Sequence, residues 1–338
     1  MTISLKLMMD YLIPRTKRLV ILDQPIRTDP DLHPIRWEYE NGKLVSQKTY
    51  WSPKGSDSIL LADMIAAFKA SYSDFDLFIA GDVLNAFVAW MHGSRWCYVV
   101  ADYDYRRGWI YRKLDRFAYK RADIILNSIN KDKEMRGLEP KDGAFETSMP
   151  SLCPPTKEEN FKPRDGHVIG YLGSLEERFG VDKAILAMPY ILNEVPDARL
   201  EIIGSGPIRS QLEKMAEGLP VTFHGFLVDE EAPKMMLNWK VGVAPYDNTF
   251  VNVDSGKLRF YSWCGIPTVL STKTLEMEKL ITNFETGLTS EPDPEMMSRP
   301  VVRLLTDDTL WAKCQRGCKR LVESLECTGY FEKLFLSF

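Results

Sequence analysis

The stretch VAPYDNTFVNVDSGKLRFYSWCGIPTVLS, residues 243–271, has the sequence pattern of a strand, a polar loop, a helix and a second strand. The apolar residues 241–245 predict the first strand, and the helix opens with Ser-Gly-Lys at 255–257. Gly265 and Pro267 predict its end, directly before the next apolar run. A crossover helix between two strands buried on both faces is the unit of a parallel sheet. The stretch therefore predicts an α/β domain.

The same alternation of apolar strands and helical patterns extends through the chain. It predicts two Rossmann-like, doubly wound parallel sheets whose ligands bind beyond the carboxyl ends of the strands, in a cleft between facing domains. A proline-rich segment near 150–165 predicts a linker. We expect a first domain over 1–155, a second over 156–315, and a helical segment 316–338 that returns to the first domain. The predicted strands are RLVILDQ, DLFIAGD, CYVVADYD and ADIILNS, then HVIGYLGS, ARLEIIGSG, VGVAPYD and PTVLST.

Composition excludes several classes of protein. The 338 residues carry a net charge of -4, which argues against a nucleic-acid binder that works by neutralising phosphates. The six cysteines lack the dense spacing of a secreted disulfide scaffold, so we expect reduced thiols. No apolar run is long enough to cross a bilayer, and the N-terminal segment does not fit a signal peptide. The expected location is the cytoplasm.

Glycines and cations follow the predicted strands of the second half. Gly173 follows one strand, where exposed amides can bond phosphate oxygens, and Arg178 adds a fixed cation nearby. Lys257 lies in the first turn of a helix, where it opposes the helix dipole unless an anion binds there. The turn at Gly204 lacks the third glycine and the following acidic residue of a dinucleotide fingerprint, which disfavours a nicotinamide-dependent dehydrogenase.

Five motifs in this order carry a more specific resemblance: IGYLGSLEERFG, LEIIGSGP, VTFHGFL, VGVAPY and SGKLRFYSWCGIPTVLS. Together they resemble the C-terminal donor domain of GT-B glycosyltransferases, particularly family four, also called group 1, over residues 166–290. The resemblance implies an enzyme that moves a sugar from a UDP- or GDP-linked donor to a hydroxyl of a glycan or lipid-linked acceptor. It implies no metal and no cofactor apart from the nucleotide sugar as co-substrate.

The resemblance also implies site residues. Arg178 and Lys257 would neutralise the leaving diphosphate as catalytic residues. The donor would be held by turn residues beside the pyrophosphate, by the backbone of a loop around the base, and by residues beside the phosphates and the sugar. These donor-binding candidates are Gly173, Ser174, Gly204, Phe226, Leu227, Tyr246, Asp254, Ser255 and Gly256.

One position departs from the family pattern. Many relatives carry two glutamates eight residues apart, the second touching the ribose, and Asn252 and Phe260 stand at the matching positions here. Asp254 could contact the ribose in their place, and it could equally be a helix cap or a loop residue.

Asp102 and Asp104 close an apolar run at the carboxyl end of a predicted first-domain strand. The pair could hold a divalent cation, since carboxylate oxygens suit magnesium and manganese. One of them could instead act as the general base of an inverting transfer, or touch the acceptor. Both could also be the polar end of a buried strand, and a retaining transfer needs no base because the departing phosphate oxygen can take the proton. The two cations of the second half favour a site without metal.

Residues 105–121 are strongly basic and interleaved with aromatic residues. This composition suits docking on an anionic membrane surface, and it also suits a solvated face or the binding of an anionic acceptor. Two alternatives to a transferase remain from the sequence. One is a non-catalytic nucleotide-sugar-binding module, and the other is a sugar-nucleotide epimerase or hydrolase of the same fold.

Overall fold

The chain divides into two compact units, described here from a computed structural model. Unit 1 comprises Met1–Leu152 together with Phe331–Phe338, and unit 2 comprises Cys153–Tyr330. Each unit is considered by itself. The structure describes residues 3–23, 35–49, 75–81, 83–100, 109–127, 137–148, 153–227, 231–246, 256–271 and 275–336.

The larger sheet of unit 1 has four parallel strands in sequential order. Two helices link its first three strands, α2 (Val83–His92) and α3 (Trp109–Tyr119). Alanines of these helices cluster with Trp96 and Tyr98 of the sheet, and together these buried residues form a core of the unit. The strands are β4 (Phe78–Ala80), β5 (Trp96–Val100), β6 (Ile124–Asn127) and β7 (Phe145–Ser148).

The first strand of the chain differs from its predicted place in the parallel sheet. Strand β1 (Arg18–Asp23) pairs antiparallel with β2 (Ile35–Glu40), which pairs antiparallel with β3 (Lys43–Thr49). The reason is a hairpin closed by Asn41 and Gly42, whose φ angles of 49° and 80° suit a two-residue turn of the twist that adjacent strands need. The hairpin supplies an antiparallel partner for β1.

The two ends of the chain meet in unit 1. Helix α1 (Ile3–Leu12) places Tyr11 against the C-terminal helix, where its ring stacks on Phe335 with the centroids 5.9 Å apart. Of the predicted returning segment 316–338, only Phe331–Phe338 belongs to unit 1. The earlier part stays in unit 2 because a long helix buries Cys318 and Leu321 there.

Unit 2 is built on a six-stranded parallel sheet in the order β10-β9-β8-β11-β12-β13. The central strands read as continuous buried apolar runs because helices cover both faces. The strands are β8 (Val168–Leu172), β9 (Arg199–Ile203), β10 (Val221–Gly225), β11 (Val241–Ala244), β12 (Thr268–Ser271) and β13 (Gly287–Ser290).

The helices of unit 2 connect these strands and then close the unit. Helix α7 begins at Gly256, inside the Ser-Gly-Lys segment where the sequence predicts it. The helices are α4 (Val181–Glu194), α5 (Arg209–Met215), α6 (Glu231–Met236), α7 (Gly256–Trp263), α8 (Leu275–Phe284), α9 (Pro294–Thr306), α10 (Asp308–Ser324) and α11 (Cys327–Leu336), the last of which ends in unit 1.

Candidate active site

The strand order of unit 2 defines where a ligand can bind. Strands β8 and β11 are neighbours at the centre of the sheet, but the chain leaves β8 toward β9 and leaves β11 toward β12, on the opposite side. Such a switch point opens a crevice at the carboxyl ends of the two strands. The turn at Gly173, the residue Tyr246 and the first turn of α7 all follow these two strand ends.

Tyr261 joins the two strands at this edge. Its hydroxyl accepts a hydrogen bond from the Leu172 amide at 2.8 Å and donates one to the Val243 carbonyl at 3.2 Å. The side chain is fully buried, and burial raises the pKa of its phenol well above the ordinary value, so the hydroxyl keeps the proton it donates. The floor of the crevice is therefore held by one tyrosine from α7.

Two strand-end turns form a single backbone platform beside it. The Gly173 amide donates to the Ile203 carbonyl at 3.0 Å, and the Gly204 amide donates to the Gly225 carbonyl at 2.8 Å. Gly173 and Gly204 have φ angles of 150° and 151°, in a region that side chains rarely adopt. A Cβ on Gly204 would lie 1.9 Å from the Gly173 carbonyl oxygen. The turns can touch only because position 204 is glycine.

Lys257 projects from the first turn of α7 into this site. Its amine is buried, and no hydrogen-bond partner for it exists among the residues that the structure describes. Three aromatic rings surround the nitrogen instead, with centroids 3.9 Å away for Tyr171, 5.0 Å for Tyr246 and 5.8 Å for Phe179. Burial lowers the pKa of this lysine to about 7. The site thus holds a basic group with no counter-charge among the residues that the structure describes.

The lysine amine lies against the Gly173 turn. A Cβ built on Gly173 would be 3.2 Å from the Lys257 nitrogen, so glycine lets the amine lie against the backbone at this point. The Tyr171 hydroxyl donates to the Ser174 carbonyl at 2.9 Å, and its ring packs against the lysine. Tyr171 therefore ties the turn and the amine together, and an anion docked against the turn would lie near the amine.

Arg178 is placed differently. Its guanidinium is about half exposed and pairs with Glu176 at 2.9 Å, and it also lies 4.8 Å from the centroid of the Phe179 ring. Phe179 is thus in contact range of both Arg178 and Lys257. Because Arg178 already has a carboxylate partner, a bound anion would have to compete with Glu176 for it.

The remaining candidates are scattered around this edge. Phe226 is 72% exposed just after β10, and Leu227 is partly buried against the core. Gly256 is the exposed first residue of α7. Phe260 stacks on Trp263 with centroids 5.7 Å apart, so it offers no polar group to a ribose. Asp102, Asp104, Asn252, Asp254 and Ser255 lie outside the described residues.

Comparison with known proteins agrees with this arrangement. The family profile described as "Glycosyl transferases group 1" matches residues 166–307, which contain the sheet edge, the platform and Lys257. Unit 2 is a group 1 glycosyltransferase domain. Over 133 residues the chain is 33% identical to a GDP-mannose-dependent alpha-(1-6)-phosphatidylinositol dimannoside mannosyltransferase of Mycobacterium tuberculosis. That match covers 39% of this chain and 33% of the relative, so the chain matches about a third of the relative's length.

Solved structures extend the likeness in fold to most of the chain. Sucrose-phosphate synthase from Thermosynechococcus elongatus superposes with a TM-score of 0.62 at 18% identity, covering 86% of this chain and 80% of the other. A pneumococcal O-GlcNAc transferase in complex with UDP and GlcNAc gives a TM-score of 0.63 at 13% identity, with 95% and 76% covered. The fold of this chain is that of the GT-B glycosyltransferases.

Tyr171, Phe179 and Tyr261 of the glycosyltransferase domain are site residues that sequence reasoning missed. Tyr171 lies inside the strand motif IGYL, where an aromatic residue is an ordinary core residue. Only the contact with Lys257, 86 positions further along the chain, gives its ring a second role. Nothing local to these residues signals that role.

Two absences apply to the part of the chain that the structure describes. There, no group of three or more His, Cys, Asp and Glu side chains could hold a metal ion. Within the same ranges, no helix has the length and hydropathy needed to cross a bilayer. The described part of the candidate site consists of glycine turns, aromatic rings and two cations.

Proposed function

We propose that this chain transfers a sugar from a nucleotide-diphosphate sugar to the hydroxyl group of an acceptor. The observation that carries the proposal is the buried Lys257 amine, which lies against the Gly173 backbone at the switch point of a group 1 glycosyltransferase domain. A basic group that is buried without a counter-charge among the described residues suits a ligand that brings concentrated negative charge. A diphosphate has that charge and is the leaving group of sugar transfer from such donors.

The catalytic contribution is the stabilisation of that leaving group. Negative charge grows on the diphosphate as the bond to the sugar breaks, and donors that are fixed in a dry site oppose it without reorganising. Lys257 occupies such a fixed position. Arg178 joins it in this proposal once the diphosphate displaces Glu176 from its guanidinium. These groups supply positive charge without a metal ion.

The relatives indicate which donors to test first. A relative is named for its dependence on GDP-mannose, and neighbours in fold were solved with UDP or UDP-glucose, which makes UDP- and GDP-linked sugars the first donors to test. The acceptor is a glycan or a lipid-linked molecule in this proposal, because the relatives include an enzyme that acts on a phosphatidylinositol dimannoside.

A screen of nucleotide sugars followed by product analysis tests the function. A donor that binds the folded protein raises its melting temperature, since a ligand specific for the native state shifts unfolding by mass action. Sugar transfer predicts release of the nucleoside diphosphate only when a hydroxyl acceptor is added, and in the presence of EDTA as well. Release without acceptor would identify a hydrolase, conversion of the donor sugar an epimerase, and binding without turnover a non-catalytic module.

We also propose that α3 docks unit 1 on an anionic membrane surface. The acidic residue of this helix, Asp115, is buried and accepts a hydrogen bond from the Tyr98 hydroxyl at 2.9 Å. The outward face therefore presents only cations, with Trp109 at its start 62% exposed. Exposed cations beside an exposed aromatic ring complement a lipid surface that carries negative headgroups. The exposed cations of the helix and of the two residues that follow it are Arg112, Lys113, Arg116, Lys120 and Arg121.

A further inference from the structure

The Lys257 amine is enclosed by groups from three segments of unit 2, and this enclosure bears on its charge. Strand β8 contributes the Tyr171 ring, the 3₁₀ turn Glu177–Phe179 contributes Phe179, and the residue after β11 contributes Tyr246. The inference drawn below concerns the same site as the proposed function and rests on it.

Other charged side chains lie near this enclosure. Glu176 pairs with Arg178, and Glu176 and Asp182 act on the Tyr171 phenol only through space. The Lys183 amine lies near Gly180, 3.4 Å from where a Cβ would stand. Among the described residues, none of these groups bonds to the Lys257 nitrogen.

The aromatic rings and the burial change the pKa of the Lys257 amine in opposite directions. A ring face attracts an ammonium, but the attraction of a few rings replaces only part of the hydration that burial removes. Loss of hydration dominates here, and it brings the pKa of Lys257 down to about 7. A diphosphate beside the nitrogen would reverse the balance, because an adjacent opposite charge favours the protonated form.

We propose that the Lys257 amine, which three aromatic rings enclose without a described hydrogen-bond acceptor, takes up one proton when an anion docks against the Gly173 turn. The proton passes from solvent to the Nζ atom, which becomes an ammonium paired with the diphosphate. Binding of a nucleoside diphosphate is therefore coupled to proton uptake. Affinity for it falls as pH rises above neutrality, because the proton must then be taken from a more dilute supply.

Calorimetry measures this coupling directly. UDP, GDP and inorganic pyrophosphate are titrated into the full chain at pH 8, in HEPES and in Tris, and the observed enthalpy is plotted against the ionisation enthalpy of the buffer. The slope gives the number of protons bound. With the pKa of Lys257 near 7, net uptake on binding UDP or GDP should approach about one proton per site at pH 8 and should be smaller at pH 7, where the lysine and the terminal phosphate of the free nucleotide are both partly protonated.

Two variants separate Lys257 from other groups. Lys257→Arg keeps a positive charge at all these pH values, so it should bind the anion with uptake close to zero. Lys240→Arg is the matched control, because Lys240 is also buried but its amine pairs with Asp308 at 2.8 Å. That control should keep the uptake of the parent protein.

The possible outcomes distinguish this inference from the proposed function. If UDP or GDP binds with no buffer dependence at pH 8, proton uptake is refuted while nucleotide binding stands. If only pyrophosphate binds, with uptake, the lysine behaves as proposed and the nucleotide function fails. Binding by none of the three probes overturns both.

A measurement without ligand gives an independent decision. NMR of protein labelled at lysine Cε should show one resonance that titrates near neutral pH and that is missing from Lys257→Arg. If every lysine resonance titrates near 10, Lys257 is charged in the empty site and the inference is wrong.

Discussion

At the scale of single residues, the site pairs a buried cation with backbone that only glycine can provide. The lysine and the glycines were predictable because each has a local signal: a cation in the first turn of a helix, and glycines directly after apolar strands. The ring of Tyr171 and the hydroxyl of Tyr261 were not, since their roles depend on contacts between distant segments. The exposure of Arg178 and its pairing with Glu176 could likewise not be predicted from the sequence.

Replacing Lys257 tests the chemistry at this scale. Lys257→Met removes the cation that opposes charge on the leaving diphosphate, so we expect turnover to fall by about 10²- to 10³-fold. The protein should fold, since methionine fills a similar volume and leaves no buried polar group. Steady-state release of the nucleoside diphosphate checks the result. Lys240→Met, at a buried lysine outside the site, should keep the turnover of each folded molecule, and an equal loss in both variants would contradict the assignment.

Gly204 should be required for the structure of the platform. An alanine there must adopt a strained φ, costing about 1–3 kcal/mol, and its Cβ would collide with the Gly173 carbonyl oxygen. Gly218→Ala is the matched control, because Gly218 also has a positive φ of 78° but has open space around it. We expect urea denaturation to show a larger loss of stability for Gly204→Ala than for Gly218→Ala. Equal losses would mean that the two turns can separate without cost.

At the scale of elements, the sequence pattern predicted most strands of the two parallel sheets and the helix that begins near residue 256. It missed the pairing of β1, although the signal for the β2–β3 hairpin was present as Asn41-Gly42 between two strands. It also missed β7 and β13, whose sequences are FETS and GLTS. Neither contains a run of apolar residues, so there is no apolar pattern that could mark a buried strand.

Helix α3 carries the prediction that belongs to this scale. Lys113→Glu, Arg116→Glu and Lys120→Glu together should abolish binding to vesicles of anionic lipid, because each cation near such a surface contributes about 1 kcal/mol. Cosedimentation with vesicles containing phosphatidylglycerol, compared with neutral phosphatidylcholine, measures it. The control reverses three exposed cations of unit 2, at Lys214, Lys234 and Arg299. Equal effects of the two sets would indicate nonspecific attraction, and a parent protein that ignores anionic vesicles would refute docking.

At the scale of the whole molecule, the alternation of strands and helices was enough to predict α/β units with parallel sheets, and the structure confirms them. The order of the strands was not predictable from local pattern, because it depends on which side of the sheet each crossover takes. That order places β8 beside β11 and thereby brings the Gly173 turn to Lys257. A site assembled from three separate segments is a property of topology, so the sequence could suggest its members without showing that they meet.

The lowered pKa of Lys257 should make the stability of the folded protein depend on pH. An unfolded lysine holds its proton up to a pH near 10.5, whereas burial lowers the pKa of Lys257 in the folded protein to about 7. Between these values the unfolded state binds more protons, so the contribution of Lys257 to stability rises with pH. Relative to Lys257→Met, the unliganded parent protein should gain melting temperature from pH 7 to pH 9. Calorimetric melting of both proteins checks this, and a constant difference between them would show that Lys257 stays charged in the folded state.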